Sequence, residues 1–188
     1  MNRALLVVLL LAACREETAA IPDPVPLTEE AVGHYCQMEL LEHPGPKAQV
    51  HLDGAPGMPL FFSQVRDAVA YTRLPEQDGV IVAVYVNEMG AGPSWENPGP
   101  TNWIPAAGAH YVVGSAREGG MGAPELVPFA DLDAAAAFAA ANGGAVMGLD
   151  AIPDSEVIAP VVLEGDIGEG DDADYDERLR KLSQKAGG

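Results

Sequence analysis

Apolar and β-branched runs alternate along this chain with clusters of glycine and proline, and the clusters set the element boundaries. Arg3 is followed by an apolar run, Ala4 to Leu11, then by Ala12, Ala13 and Cys14. Residues 15–30 are polar with three prolines and read as an extended tether. The pattern then predicts a strand at His34–Leu41, a second at Ala48–Leu52 and a turn in "DGAPGMP". A helix fits Ser63–Arg73, with Ser63 as N-cap and Val65, Ala68, Val69 and Thr72 near one face. Val80–Val86, "VIVAVYV", is a β-branched run and reads as a buried strand.

A second half follows "GAGPSWENPGP". It reads as strands at Asn102–Pro105 and Ala109–Gly114, then a glycine-rich loop, "REGGMGAPE". The alanines of Asp131–Ala141 favour helix, with Asp131 or Asp133 serving its N-terminus and "NGG" ending it. Ala145–Ile152 is a last strand. Each half thus reads strand, strand, helix, strand. The expected fold class is α+β, with two ββαβ units, 31–92 and 93–163, packed in one compact body. An acidic segment, 164–188, reads as a disordered tail with a short helix around Tyr175–Leu182.

The N-terminus sets the compartment. A basic start, an apolar core and small residues before a cut site describe an export signal, here 1–13. The run is far short of the roughly 20 residues a membrane-spanning helix needs. Leu11-Ala12-Ala13-Cys14 resembles the lipobox of bacterial lipoproteins, whose cysteine is acylated and becomes the mature N-terminus. Two or more acyl chains anchor stably where one is marginal. The expected location is periplasmic, lipid-anchored to a bacterial membrane. About 175 residues remain after cleavage, enough for one ordinary domain or two small ones. The net charge of -18 becomes one unit more negative when Arg3 leaves with the signal. Such acidity repels nucleic acid and favours basic partner surfaces or cations.

Export also changes the meaning of the second cysteine. With Cys14 acylated, Cys36 has no intramolecular partner, and an idle thiol is a liability in an oxidising space. On a strand, Cys36 and Met38 share a face roughly 6.5 Å apart and form a two-point sulfur site. Thiolate and thioether are soft donors, which suits Cu(I) over Zn(II), Mg(II) or Ca(II). A third donor could be Met121, His34, His43, His51 or His110. Met121 stands among glycines without an obvious packing role, His34 shares the face of Cys36, and His43 could fold back onto it. His51 and His110 read as ordinary strand or surface histidines. Trp95 and Trp103 read as packing at the junction of the halves.

Other chemistries fit less well. One available thiol is too few for a structural zinc site, and no Cys-x-x-Cys, Walker loop or Gly-x-Ser-x-Gly elbow occurs. Two alternatives stand beside the metal site: a binding or structural lipoprotein with Cys36 and Met38 in its core, or a thiol-dependent enzyme using Cys36.

Several blocks carry a family resemblance: the lipobox Cys14, "YCQMELLEHPGPKAQV", "PTNWIPAAGAHYVVGS" and "GGMGAPELVPFADLDAAAAFAAANGG". With them the chain resembles the NosL family, lipoprotein accessories of nitrous oxide reductase maturation. The resemblance implies a Cu(I)-binding periplasmic protein of two ββαβ units that is a carrier, not an enzyme. It implies Cys36, Met38 and Met121 as ligands, with a histidine, His43 or His34, as a further candidate. The implied partners are a membrane ABC-type assembly and the apo-reductase, and the chain is expected to be a monomer when free.

Overall fold

The computed structural model describes residues 21–90, 94–160 and Lys181. The signal, the acylation site Cys14 and nearly all of the acidic tail lie outside the described residues. Within residues 21–160 the described strands and α-helices are, in order, β1 Ala48–Leu52, β2 Leu60–Phe62, α1 Val65–Arg73, β3 Ile81–Asn87, β4 Trp103–Pro105, β5 His110–Val113, β6 Val127–Phe129, α2 Leu132–Asn142 and β7 Ala145–Gly148. The first sheet has the order β2-β1-β3-β4 and the second β6-β5-β7, every pairing antiparallel. The α+β class and the pair of ββαβ units are therefore as expected. In each unit the first strand lies between the second and third.

The strands filling the pattern are not all the expected ones. His34–Leu41 is not a strand: Val32 bridges Glu39 across a tight turn, and Leu40–Glu42 is one turn of 3₁₀ helix. The segment alternates but folds back on itself, with Gln37 at φ 55°. The missing strand is β2, which follows the "DGAPGMP" turn and pairs with β1 from Ala48↔Phe62 to Val50↔Leu60. Trp103–Pro105 forms as expected but pairs with β3 in the first sheet. Its place in the second unit is taken by β6, a three-residue edge strand inside what read as loop. Pro105 and Pro128 sit in edge strands, where a missing N–H is tolerated.

The helices differ in what starts them. Asp131 caps α2 by accepting from the Ala134 N–H at 2.9 Å, and Gly143 at φ 77° follows its end. Helix α1 begins later than expected, with Gln64 and not Ser63 at its N-cap position and no side-chain cap of its own.

One core joins the units. Val50, Phe62, Val65, Val69, Tyr71 and Val86 pack with Tyr111, Val113 and Leu126 of the second half. Full burial of each such side chain stabilises by about 1.5–3 kcal/mol. A smaller cluster, Val112, Val127, Phe129 and Ala135, lies under α2, where Trp95 also packs. Two irregular segments close the body. Residues 22–27, expected as free tether, run across the outer face of the first sheet. There the Tyr85 hydroxyl donates to Pro22 O at 2.7 Å, the Val25 N–H to Gln49 Oε1 at 2.8 Å and the Leu27 N–H to Pro100 O at 2.8 Å. Leu27, Ala31 and Leu40 seat this strap beside Trp103. On α1, Arg66 and Arg73 hold residues 149–159 through the carbonyls of Glu156, Ala159, Ile152 and Leu149. Among the described residues no helix is long and apolar enough to cross a membrane.

Candidate metal centre

Cys36 sits in the turn between Gly33 and Met38. The turn is closed by Gly33 N–H to Met38 O at 2.9 Å and Gln37 N–H to Gly33 O at 2.8 Å, and is pinned to β2 by His34 N–H to Phe61 O at 2.6 Å. Gln37 adopts the left-handed region, costly for most residues, and its Nε2 donates to His34 O at 2.7 Å. Cys36 Sγ lies so close to the Gly33 Cα that any side chain there would overlap it. The thiol is free and half-buried, while Met38 is exposed on the same turn. Cys36 and Met38 are thus neighbours on a turn, not on one face of a strand.

Met121 occupies a second turn. Its ends are paired through a Glu118–Pro124 bridge and Gly119 N–H to Ala123 O at 2.8 Å. The Met121 N–H donates to Gln64 Oε1 at 2.8 Å, fastening this turn to the start of α1. Glu125 reaches under the same spot, its Oε1 accepting from the N–H groups of Arg66 at 3.1 Å and Leu126 at 2.9 Å. A buried carboxyl of the second unit therefore supplies what the missing side-chain cap of α1 leaves open. The Met121 side chain is exposed, but its backbone is held on both sides.

The two turns meet. Cys36 and Met121 line one open cleft of about 370 Å³ with Tyr35, Gln64, Arg66, Asp67 and Ala123. Residues 85 positions apart in sequence are so brought to one site. The two histidine candidates diverge. His34 packs on Tyr71 and Phe62 and turns its Nε2 to Asp78 at 3.4 Å. His43 packs on Gly120, where an added Cβ would stand 2.6 Å from His43 Cβ. Its Nε2 is buried and has no hydrogen-bond partner. His51 lies inside the first sheet, bonded to Gln49 at 2.8 Å, and burial lowers its pKa. His110 opens β5.

Behind the cleft is a buried pair that sequence reading missed. Lys47 Nζ donates to the carbonyls of Pro44 at 2.9 Å and Gly45 at 2.6 Å. Burial lowers Lys47 to about 8, opposed by the charges of Glu125 and Cys36, which favour its ammonium form. Burial raises Glu125 to about 8, against the two N–H bonds and the nearby Lys47 charge. Burial therefore favours the neutral form of each group, and their mutual attraction opposes it. A lone acid within the apolar stretch "APELVPF" was the available signal.

Among the described residues no three His, Cys, Asp or Glu side chains gather as a metal cluster. What the cleft offers is sulfur, one thiol and one thioether on rigid turns, a donor set selective for soft cations. Fold and cleft together define a small α+β binding protein with a soft-donor site between its two units. The chain belongs to the NosL family, whose family model matches residues 24–157. It is 58% identical over 180 residues to the copper-binding lipoprotein NosL of Achromobacter cycloclastes, covering 95% of this chain and 92% of that one. It is 34% identical over 139 residues to the copper-binding lipoprotein NosL of Stutzerimonas stutzeri, covering 73% and 70%. The crystal structure of the copper chaperone NosL from Shewanella denitrificans matches with a TM-score of 0.65 at 28% identity, over 71% of this chain and 97% of that one.

Proposed function

We propose that the chain is a lipid-anchored periplasmic carrier of Cu(I), serving assembly of the copper centres of nitrous oxide reductase through a membrane ABC-type assembly. It carries metal and does not catalyse. The observation that supports this most directly is the shared cleft of Cys36 and Met121. The names of its relatives, copper-binding lipoprotein and copper chaperone, point the same way.

In this reading the Cys36 thiolate, Met38 and Met121 hold one Cu(I). Of the histidines, His43 is the better fourth donor, because its Nε2 has no other partner while His34 is committed to Asp78. Two thioethers at the surface suit a carrier. Each can leave the ion singly and be replaced by a donor of the recipient, while the half-buried thiolate keeps hold. The backbone of the Met121 turn is fixed, so release involves side-chain rotation and not a swinging loop.

The test is Cu(I) titration against a chromophoric competitor under anaerobic, reducing conditions. Cys36→Ser is expected to weaken binding by at least about a hundredfold, or roughly 2.7 kcal/mol. Unchanged affinity in that variant would remove the assignment.

A further inference from the structure

Among the described residues outside the cleft, the three most exposed large apolar side chains are Ile21, Met58 and Val80, at 73%, 69% and 69%. They belong to three separate segments, yet they share one end of the first sheet. Met58 is in the β1–β2 turn, whose Asp53 N–H donates to Val80 O at 2.8 Å. Ile21 lies against the same turn, sharing a hollow of about 480 Å³ with Leu52, Asp53, Gly54 and Pro56. The strand register places this end. Leu52 pairs with Ile81 here, whereas Ala48 pairs with Phe62 and Val86 at the other end, where α1 starts and the sulfur cleft opens. Strand β3, seven residues, separates the ends of the sheet by about 20 Å, while the Cys36 turn reaches part of the way back through His34, which meets Asp78 at 3.4 Å.

The chain enters the body at this same end and climbs from Pro22 to Leu27 across the sheet. Cys14 precedes Ile21 by seven residues, a span of at most about 25 Å when extended. A lipid on Cys14 therefore keeps Ile21, Met58 and Val80 within reach of the bilayer at high effective concentration. We propose that the end of the first sheet formed by Ile21, Met58 and Val80 rests on the lipid surface, so that the sulfur cleft opens away from the membrane. This rests on the lipid-anchor part of the reading above and is independent of the metal. Residues 53–59 and 75–80 carry Asp53, Glu76 and Asp78 but no lysine or arginine. The contact is accordingly apolar, made with zwitterionic headgroups and not by attraction to anionic lipid.

Lipidated full-length protein in phosphatidylcholine vesicles, with and without brominated acyl chains, tests this through tryptophan placed at either end. Met58→Trp should show a blue shift and lose emission to brominated lipid, beyond any loss by the unaltered protein. Leu41→Trp, at the cleft end, should not. Replacing part of the phosphatidylcholine by anionic lipid should not increase the Met58→Trp quenching. Protein that floats with vesicles while Met58→Trp stays unquenched, or while Leu41→Trp is the one quenched, overturns the orientation and leaves this end to a protein partner. Full-length protein whose intact mass lacks acyl chains, and which floats no better than Cys14→Ser, instead overturns the anchor.

Discussion

The Gly33–Met38 turn is fastened from within, by its own main chain and by the Gln37 side chain, and to β2 by a main-chain bond. The turn bearing Met121 is fastened by side chains of other elements, Gln64 from the start of α1 and, beneath it, Glu125 at the edge of β6. The first places Cys36 by local conformation, which tolerates changes elsewhere. The second places Met121 by the docking of one unit on the other, so its position reports the state of the interface between them. A sulfur cleft built this way exists only in the folded chain, since neither turn alone supplies both donors.

The contrast breaks most severely at Gly120. Gly120→Val would drive side-chain atoms into His43 and the Pro44 carbonyl, 2.6 and 3.1 Å from the position of the new Cβ. Overpacking of this kind costs about 1–3 kcal/mol. Thermal unfolding should show that loss, and Cu(I) affinity should fall with it. Full affinity in the folded variant would mean that the Met121 turn does not serve the site.

Glu125→Gln tests the buried acid by its pH dependence. Burial raises Glu125 from the ordinary carboxylate range to about 8, so its contribution to stability is complete below that ordinary range and is lost as pH rises through about 8. Glutamine keeps the acceptor for the Arg66 and Leu126 N–H groups without titrating. The variant should gain stability on the parent progressively as pH rises from about 5 to about 8.5 in urea unfolding. A parallel pair of pH profiles would argue that Glu125 is ionised throughout.

Smaller effects remain on each turn. Gln64→Ala removes the acceptor for the Met121 N–H and should cost about 1 kcal/mol in chemical unfolding. Its effect on Cu(I) affinity should stay under about tenfold, within the range for residues that orient ligands. Gln37→Gly relieves the left-handed backbone but deletes the bond to His34 O. Each is worth about 1 kcal/mol, so the urea midpoint should hardly move. A large loss there would show that the Gln37 side chain holds the Cys36 turn more strongly than its backbone strain opposes it.

What could be read from sequence divides along the same line. The alanine helix, its Asp131 cap and the β-branched β3 are set by local preference, and they form where expected. The strands β2 and β6 have three residues each, too short for periodicity to register, and β6 includes a proline. At His34–Leu41 the apolar alternation was real, but Gly33 and the left-handed Gln37 turn it back on itself. Cys36, Met38 and Met121 stood out by residue type. The meeting of Cys36 with Met121 could not be read, because it depends on Gln64 and Glu125 joining two units across the core.

The closing segment on α1 has a consequence for divergence. Arg66 and Arg73, two helical turns apart, grip residues 149–159 mainly by main-chain carbonyls, which every amino acid provides. Only Asp154 adds a side-chain acceptor, in an exposed pair with Arg73. Substitutions at the exposed positions of this segment can therefore accumulate while its path is kept, Ile152 and Val157 being held by the core, whereas either arginine, once lost, leaves carbonyls that no neighbouring drift can restore. Mutational tolerance in this protein should be asymmetric across this contact, wide at the exposed positions of the segment that is held and narrow on the two residues that hold it.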